Sequence, residues 1–482
     1  MVAKGAFQGV SFWSVKSILV QGSPKFIRKI IEFSEKNSDN ADSQNRQFRY
    51  NGHIMIYFRS TAETILLSIL ASVAPESMVR RHVRIAAEKL LIDHQEVDFY
   101  GRKLVCLGAG KASARMAQAL AHIIERGYDA GSLTSPDGYV VGAPGCVARA
   151  AGHPLPDKRS VIAASEALDI AQVWSKRDPL VFGMISGGTS ALWCVPREGV
   201  TLEQKIETGN WLLASGLPIH KINTIRRRLS AIKGGQLAQA LNGVEAHILV
   251  LSDVPDDTRL DIVGSGPFYP DSSSNEEALS YLAEAELPPP AWLPDLIRTA
   301  PPLPDRSTFA NVHHYQIGSN RDAVVAAALK AAENGLHPII QDEPLVGEAR
   351  EVGVKLARQA MGANVHRPTC WIYGGETTVT LSDNPGRGGR NQEMALAFAI
   401  EAAGKDNVAL LAFSTDGVDG MSDAAGAYVH GDTMNRIHEA QLDACDHLER
   451  NDSYAALSAA GALLYTGPTG TNVADVAVVI TR

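Results

Sequence analysis

From residue 103 to its end the chain repeats one pattern: a short apolar run stops at glycine or an acid, and a helix-like stretch or a turn follows. KLVCLGAG (103–110) leads into KASARMAQALAHIIERG, and DPLVFGMISGG (178–188) into a second turn. HILVLSDVP (247–255), HYQIGSN (314–320), PTCWIYGGETTVTL (368–381) and NVALLAFSTDGVDG (407–420) repeat it, and ADVAVVI closes the chain. Apolar runs of strand length alternating with helical segments predict α/β architecture with a mainly parallel sheet in each domain. In such sheets ligands bind beyond the carboxyl ends of the strands. The glycines and acids fall at those ends here.

Length and charge narrow the choices. With 482 residues, two or three domains are expected. A net charge of −8 argues against a nucleic-acid partner. None of the five cysteines forms a CxxC pair, so reduced thiols in a cytoplasmic protein are expected. No apolar run reaches the ~18–20 residues of a membrane span, and no membrane association is expected. Residues 1–31 carry five basic side chains and no acid, which leaves organellar targeting as the alternative location. Residues 35–51 read as disordered, and helical patterning begins near residue 60. Residues 1–55 are therefore expected to be an extension, or to precede a true start at Met55. The seven prolines of 287–305 rule out a regular helix or central strand there and mark a domain boundary.

Several motifs carry chemistry. LGAGKAS offers Gly108, Gly110 and Lys111 to a phosphate, yet it is neither a Walker A loop nor a full dinucleotide fingerprint. Asp129 lies at the spacing of a ribose-binding acid. ISGGTSAL supplies Ser186, Gly187, Gly188 and Ser190, with an N-cap by Thr189 or Ser190 as the plain alternative. In HKINTIRRRLSAIKGGQ the basic residues read as a solvated helix face, with Lys233 as an exception. Asp253 ends a strand, where it suits Mg²⁺ or a base, and Gly264 and Gly266 form another turn. GGETTVTLSDNPGRGGRNQE combines Glu376, Gly388, Gly389, Arg390 and a helix cap at Asn391, a set that favours an anion. STDGVDGMSD adds Asp416, Asp419 and Asp423 for a hard cation or a hydroxyl, with an Asx-rich turn as the plain alternative. No HExxH or paired Cys/His spacing suggests zinc.

Taken in order, LGAGKAS, ISGGTSALW, the HKINTIRRRLSAIKGGQLA block, LSDVP…GSGPFYPD, GGETTVTL…GRGGRNQE, TDGVDGMSDAAGA and TGPTGTN resemble glycerate 2-kinases with a C-terminal MOFRL domain. The resemblance covers about residues 60–482. It departs at Thr189, where a glycine is usual, and at Asp256, which replaces the glycine of SDVPGDD. It implies two α/β domains, the first Rossmann-like, over about 56–300 and 301–482, with MOFRL at about 365–482 and the active site in the cleft between them. It also implies ATP, Mg²⁺ and D-glycerate, with 2-phosphoglycerate and ADP as products, and Lys111 and Arg390 as leading catalytic candidates. Asp253 joins them as a candidate base. Asp253, Glu376 and Asp416 are the candidate metal ligands, in no fixed assignment. A homo-oligomer is compatible with the sequence. The alternative is an NAD(P)H-dependent hydroxypyruvate reductase.

Overall fold

The structure is a computed structural model that describes residues 49–254 and 259–482, with side chains from Phe58 onward. The expectations for residues 1–48, and for the loop around Asp256, lie outside the described residues. A helix already runs over Arg49–Ser72, so helical structure starts before the residue 60 expected from patterning.

Three sheets follow. A small antiparallel one joins β1 (Val83–Ala86), β2 (Lys89–Ile92) and β3 (Gln95–Val97). The first large sheet holds β4 (Leu104–Ala109), β5 (Ala130–Pro136), β6 (Val147–Ala151), β7 (Leu180–Ser186), β8 (Ala246–Leu251) and β9 (Val312–Gly318). All its pairings are parallel, in the order β6-β5-β4-β7-β8-β9. This is the Rossmann order 3-2-1-4-5-6, and the order reverses between β4 and β7. LGAG and ISGG therefore end the two strands that flank the crevice.

The second large sheet holds β10 (His337–Ile340), β11 (Thr369–Gly375), β12 (Val408–Ser414), β13 (Gly426–His430), β14 (Leu463–Leu464) and β15 (Asp475–Thr481). Here the expected parallel arrangement gives way to a mixed one. Only β10 and β11 pair in parallel, because β15 returns from the chain end and inserts antiparallel between β11 and β12. We place the crossing between the large sheets after Gly318, later than residue 300, since β9 completes the first sheet. Within the proline-rich stretch a short helix, Leu293–Arg298, does form. Its proline sits in the first turn, where no intrahelical N–H is required.

Strand alternation joins the two halves. Leu104 and Cys106 of β4, and Val476, Val478 and Ile480 of β15, belong to one buried cluster with Phe58, Ile65 and Ile69 of the first helix. The intervening Val105, Leu107 and Ala109 face a second cluster, and Ala477 and Val479 a third. Burial on both strand faces explains why these runs are apolar throughout. Among the described residues no single helix is long and apolar enough to cross a membrane. All five cysteines are unpaired thiols, with Cys106, Cys194 and Cys370 buried.

The helix Asn320–Glu333 ties the shared core to the start of β15. Asn320 Nδ2 donates to the carbonyls of Val473 at 2.7 Å and Asp475 at 2.9 Å. Asn320→Ala removes both buried hydrogen bonds and is expected to cost roughly 1–3 kcal/mol of unfolding free energy in urea denaturation.

Candidate active site

At the reversal of the first sheet, Lys111 N–H donates to Gly187 O at 3.0 Å and Ala112 N–H to Ser186 Oγ at 3.0 Å, so the turns after β4 and β7 brace each other. Gly110 N–H donates to Thr134 O of β5 at 3.0 Å, and Gly108 packs on Met184. Thr189 does not cap a helix: its hydroxyl donates to Ala109 O at 2.6 Å and Ser186 O at 2.7 Å. Ser190 does not cap one either, since its Oγ accepts from Lys233 Nζ at 2.7 Å. Asp253, just beyond β8, presses against this turn. A Cβ at Gly187 would collide with its carboxylate, so only glycine fits there.

The other wall comes from the second sheet. Asp416, beyond β12, takes Lys111 Nζ at 2.5 Å on Oδ2. Its Oδ1 accepts from Ser414 Oγ and Val418 N–H, both at 2.9 Å. Asn472 Nδ2 donates to Asp253 Oδ2 at 2.9 Å. Arg390 opens the helix Arg390–Glu401 and makes a two-toothed pair with Asp475 at the start of β15, 2.5 Å from Nε to Oδ2 and 3.0 Å from Nη2 to Oδ1. Its Nη1 lies 2.7 Å from Glu376 Oε1, just beyond β11. The structure thus gathers Lys111, Gly187, Asp253, Glu376, Arg390 and Asp416 at the junction of the two halves.

The electrostatics follow from that crowding. Burial raises the Asp253 carboxyl, Lys111 pulls it back, and Asp416 pushes it up again. Glu376 is raised by enclosure, is held back by Arg390, and is pushed further by Asp475 and Asp253. Its side chain is still 45% open to the cleft, so the walls surround it more than they cover it. Arg390 loses hydration on burial, but Asp475 and Glu376 more than compensate and keep it firmly charged. Burial and the charge of Lys111 push His153 down to about 4, so it is neutral at pH 7.

Other expectations shift. Asn391 is not the cap of its helix, because the first helical residue is Arg390 and Gly389 precedes it. The cap is Asp419, which accepts from the backbone N–H of Asn391 at 3.1 Å and Gln392 at 2.8 Å. Gly389 is required because a side chain there would strike Asp419. Asp419, expected with its neighbours to meet a cation or a hydroxyl, thus serves its helix instead. Asp475 is the residue that sequence reasoning missed, and the one available signal was an acid opening an otherwise apolar closing strand. Gly264 packs on Thr189, Gly266 on Tyr269 and Gly388 on Ser453, so their neighbours belong to loop packing. Arg227 and Arg228 are buried rather than solvated: Arg227 pairs with Asp261 and Asp271, and Arg228 donates to Ser273. Asp129 precedes β5, at the opposite end of the sheet from LGAG, and binds Lys103 and Arg126. Among the described residues no group of three His, Cys, Asp or Glu side chains forms a ready metal cage.

A parallel sheet with glycine turns at its reversal, closed by a lysine and an arginine set among carboxylates, defines an α/β enzyme built to handle anionic groups. Residues 61–298 match a family model described as a domain of unknown function, DUF4147, and residues 369–475 match the MOFRL family. A protein from Pyrococcus horikoshii named glycerate 2-kinase is 35% identical over 421 residues, covering 84% of this chain and 93% of its own. A relative from Agrobacterium vitis, 38% identical over 386 residues, carries a hydroxypyruvate reductase name; the match spans 78% of this chain and 99% of that one. The crystal structure of a glycerate kinase from Thermotoga maritima superimposes with a TM-score of 0.74 at 33% identity, covering 88% of this chain and 99% of that chain. The chain belongs to the glycerate 2-kinase family with a C-terminal MOFRL domain.

Burial and the neighbouring Asp475 push the Asp419 carboxyl up to about 6, with the N–H groups of Gln392 and Asn391 opposing. The folded state then holds this proton more tightly than the unfolded chain. Its ionisation costs stability, and that cost grows as pH rises from about 4 to about 6. Asp419→Asn removes the titration, so wild-type stability is expected to fall by on the order of 2–3 kcal/mol relative to the variant across that window. Unfolding curves of both proteins at stepped pH measure it.

Proposed function

We infer that this chain is a glycerate 2-kinase, transferring the γ-phosphoryl group of ATP to the 2-hydroxyl of D-glycerate and releasing 2-phosphoglycerate and ADP. The observation that carries this reading is the pairing of Lys111 with Asp416 across the two halves, at the reversal point of the first sheet. Phosphoryl transfer asks mainly for positioning and charge neutralisation, and the site is composed for that. The turns at Gly108–Lys111 and Gly187–Ser190 face the phosphate side. Lys111, aimed by Asp416, neutralises the transferring group. Arg390, braced by Asp475, orients the glycerate carboxylate from the opposite wall.

The carboxylates divide by what they already hold. Both Asp416 oxygens are engaged, so it serves to aim Lys111 rather than to bind metal. Glu376 keeps one oxygen without a hydrogen-bond or ion-pair partner among the described residues, and Asp253 is held only by Asn472 and its own backbone N–H among them. Mg²⁺ in such sites takes one or two carboxylates plus phosphate oxygens, and Asp253, against the glycine turn, fits that role. When bound, Mg²⁺ neutralises charge on the phosphate chain. Glu376, with its raised carboxyl, accepts the 2-hydroxyl proton on its open oxygen.

A dinucleotide reductase reading fits less well. The ribose-binding acid is not free: Asp129 sits at the wrong end of β5, and Asp137, at the right end, is bridged by Arg159. Incubation with ATP, Mg²⁺ and D-glycerate, followed by enolase, tests the assignment, since enolase takes the 2-phosphate and not the 3-phosphate. Lys111→Ala, and Arg390→Lys, which keeps a cation beside buried Asp475, are each expected to lower kcat by on the order of 10²–10³ with the fold intact. NADH oxidation by hydroxypyruvate in the absence of ATP would overturn the reading. Chelation by EDTA is expected to abolish turnover and added Mg²⁺ to restore it.

A further inference from the structure

A cavity of about 220 Å³ opens beside the Gly187–Gly188 turn. Its lining includes Ser190, Lys205, Arg226 and Lys233, and among the described residues no carboxylate lines it. Lys233 is buried, and among the described residues its Nζ finds only the carbonyl and hydroxyl of Ser190, each at 2.7 Å. Lys205 Nζ donates to the Val195 carbonyl at 3.1 Å. The Arg226 guanidinium has no hydrogen-bond or ion-pair partner among the described residues. Its neighbours on the same helix, Ile219–Arg228, are treated differently: Arg227 is matched by two aspartates. Burial and mutual repulsion weaken the proton affinity of Lys233 and, with Cys194 opposing, of Lys205. Enclosed cations without counter-charge are costly, and an anionic ligand removes the cost.

The lining also has an apolar part. Pro154, Leu155, Pro156, Ile206 and Leu213 belong to it, and Leu155 and Leu213 are 57% and 69% exposed. Asn210 adds an amide. A bare three-carbon acid has no surface to cover these side chains, but a heterocyclic base does. His153 lines the cavity, lies against Gly188 and feels the charge of Lys111, so the cavity runs on into the site described above.

We propose that this cavity seats the nucleotide, with Lys205, Arg226 and Lys233 taking its phosphate chain and Leu155 and Leu213 flanking its base. This deepens the kinase reading and rests on it. The test is direct binding to the full chain, by calorimetry, of ADP, inorganic tripolyphosphate and D-glycerate, alongside KM values for ATP and D-glycerate. Arg226→Gln is expected to weaken ADP and tripolyphosphate binding by about 10–100-fold, as for loss of a charged hydrogen bond, with the KM for D-glycerate unchanged. Leu213→Ser, at an exposed site that keeps the fold, is expected to weaken ADP binding severalfold and leave tripolyphosphate unaffected. Lys205→Gln repeats the phosphate arm should Arg226→Gln fail to fold. A raised KM for D-glycerate with ADP binding intact would overturn the proposal and assign the cavity to the acid. Unchanged binding of all three ligands would overturn it as well. Tight ADP binding lost in these variants, in a protein that never phosphorylates D-glycerate, would sink the kinase reading and leave the nucleotide seat standing.

Discussion

The contact on which the cleft depends is the buried pair between Arg390 and Asp475. Asp475 has no exposure to solvent, and a carboxylate so placed is tolerable only beside a cation. The pair joins the first residue of a helix to the first residue of the last strand. It therefore sets how the helix Arg390–Glu401 lies over the second sheet, and with it where Glu376 can meet a guanidinium. Asp419 fixes the same helix from its other side by filling the N–H groups of its first turn. Around one arginine stand three carboxylates, with Asp253 and Asp416 a short step away on either side of Lys111.

This balance of five acids to two bases has a chemical sense. Where the two anionic substrates of the proposed reaction would meet, Lys111 and Arg390 are each matched by a carboxylate. On the proposed reading the nucleotide would arrive with a divalent cation, which the open carboxylate oxygens would take and which would let the phosphates approach. If the nucleotide sits as proposed, the cationic cavity would hold its chain of phosphates and the acidic region would receive the reacting end.

Much of this was legible in the chain. The apolar runs stood out because β4, β7, β8, β12 and β15 are buried on both faces, and the glycines and acids at their ends marked the crevice. Lys111, Asp253, Glu376, Arg390 and Asp416 were all visible as strand-end or helix-start residues. What could not be read was pairing at a distance. The direction of the second sheet is decided by a strand from the chain end, and the helix cap is supplied from another loop, 28 residues away. Arg227 and Arg228 looked like a wet helix face because their aspartate and serine partners lie far along the sequence. Local pattern reports which residues are polar; it does not say which polar residues have found each other.

The bridge between Lys111 and Asp416 has one more consequence. It is a clasp that holds the two halves together before any substrate arrives, and its ammonium is the group that an incoming phosphate must claim. A singly charged acid competes poorly with a carboxylate 2.5 Å away, whereas a multiply charged phosphate chain can match it. On the proposed mechanism the clasp thus acts as a charge threshold at Lys111 alone: the phosphate chain carries enough negative charge to share that lysine, and the glycerate carboxylate is left to Arg390.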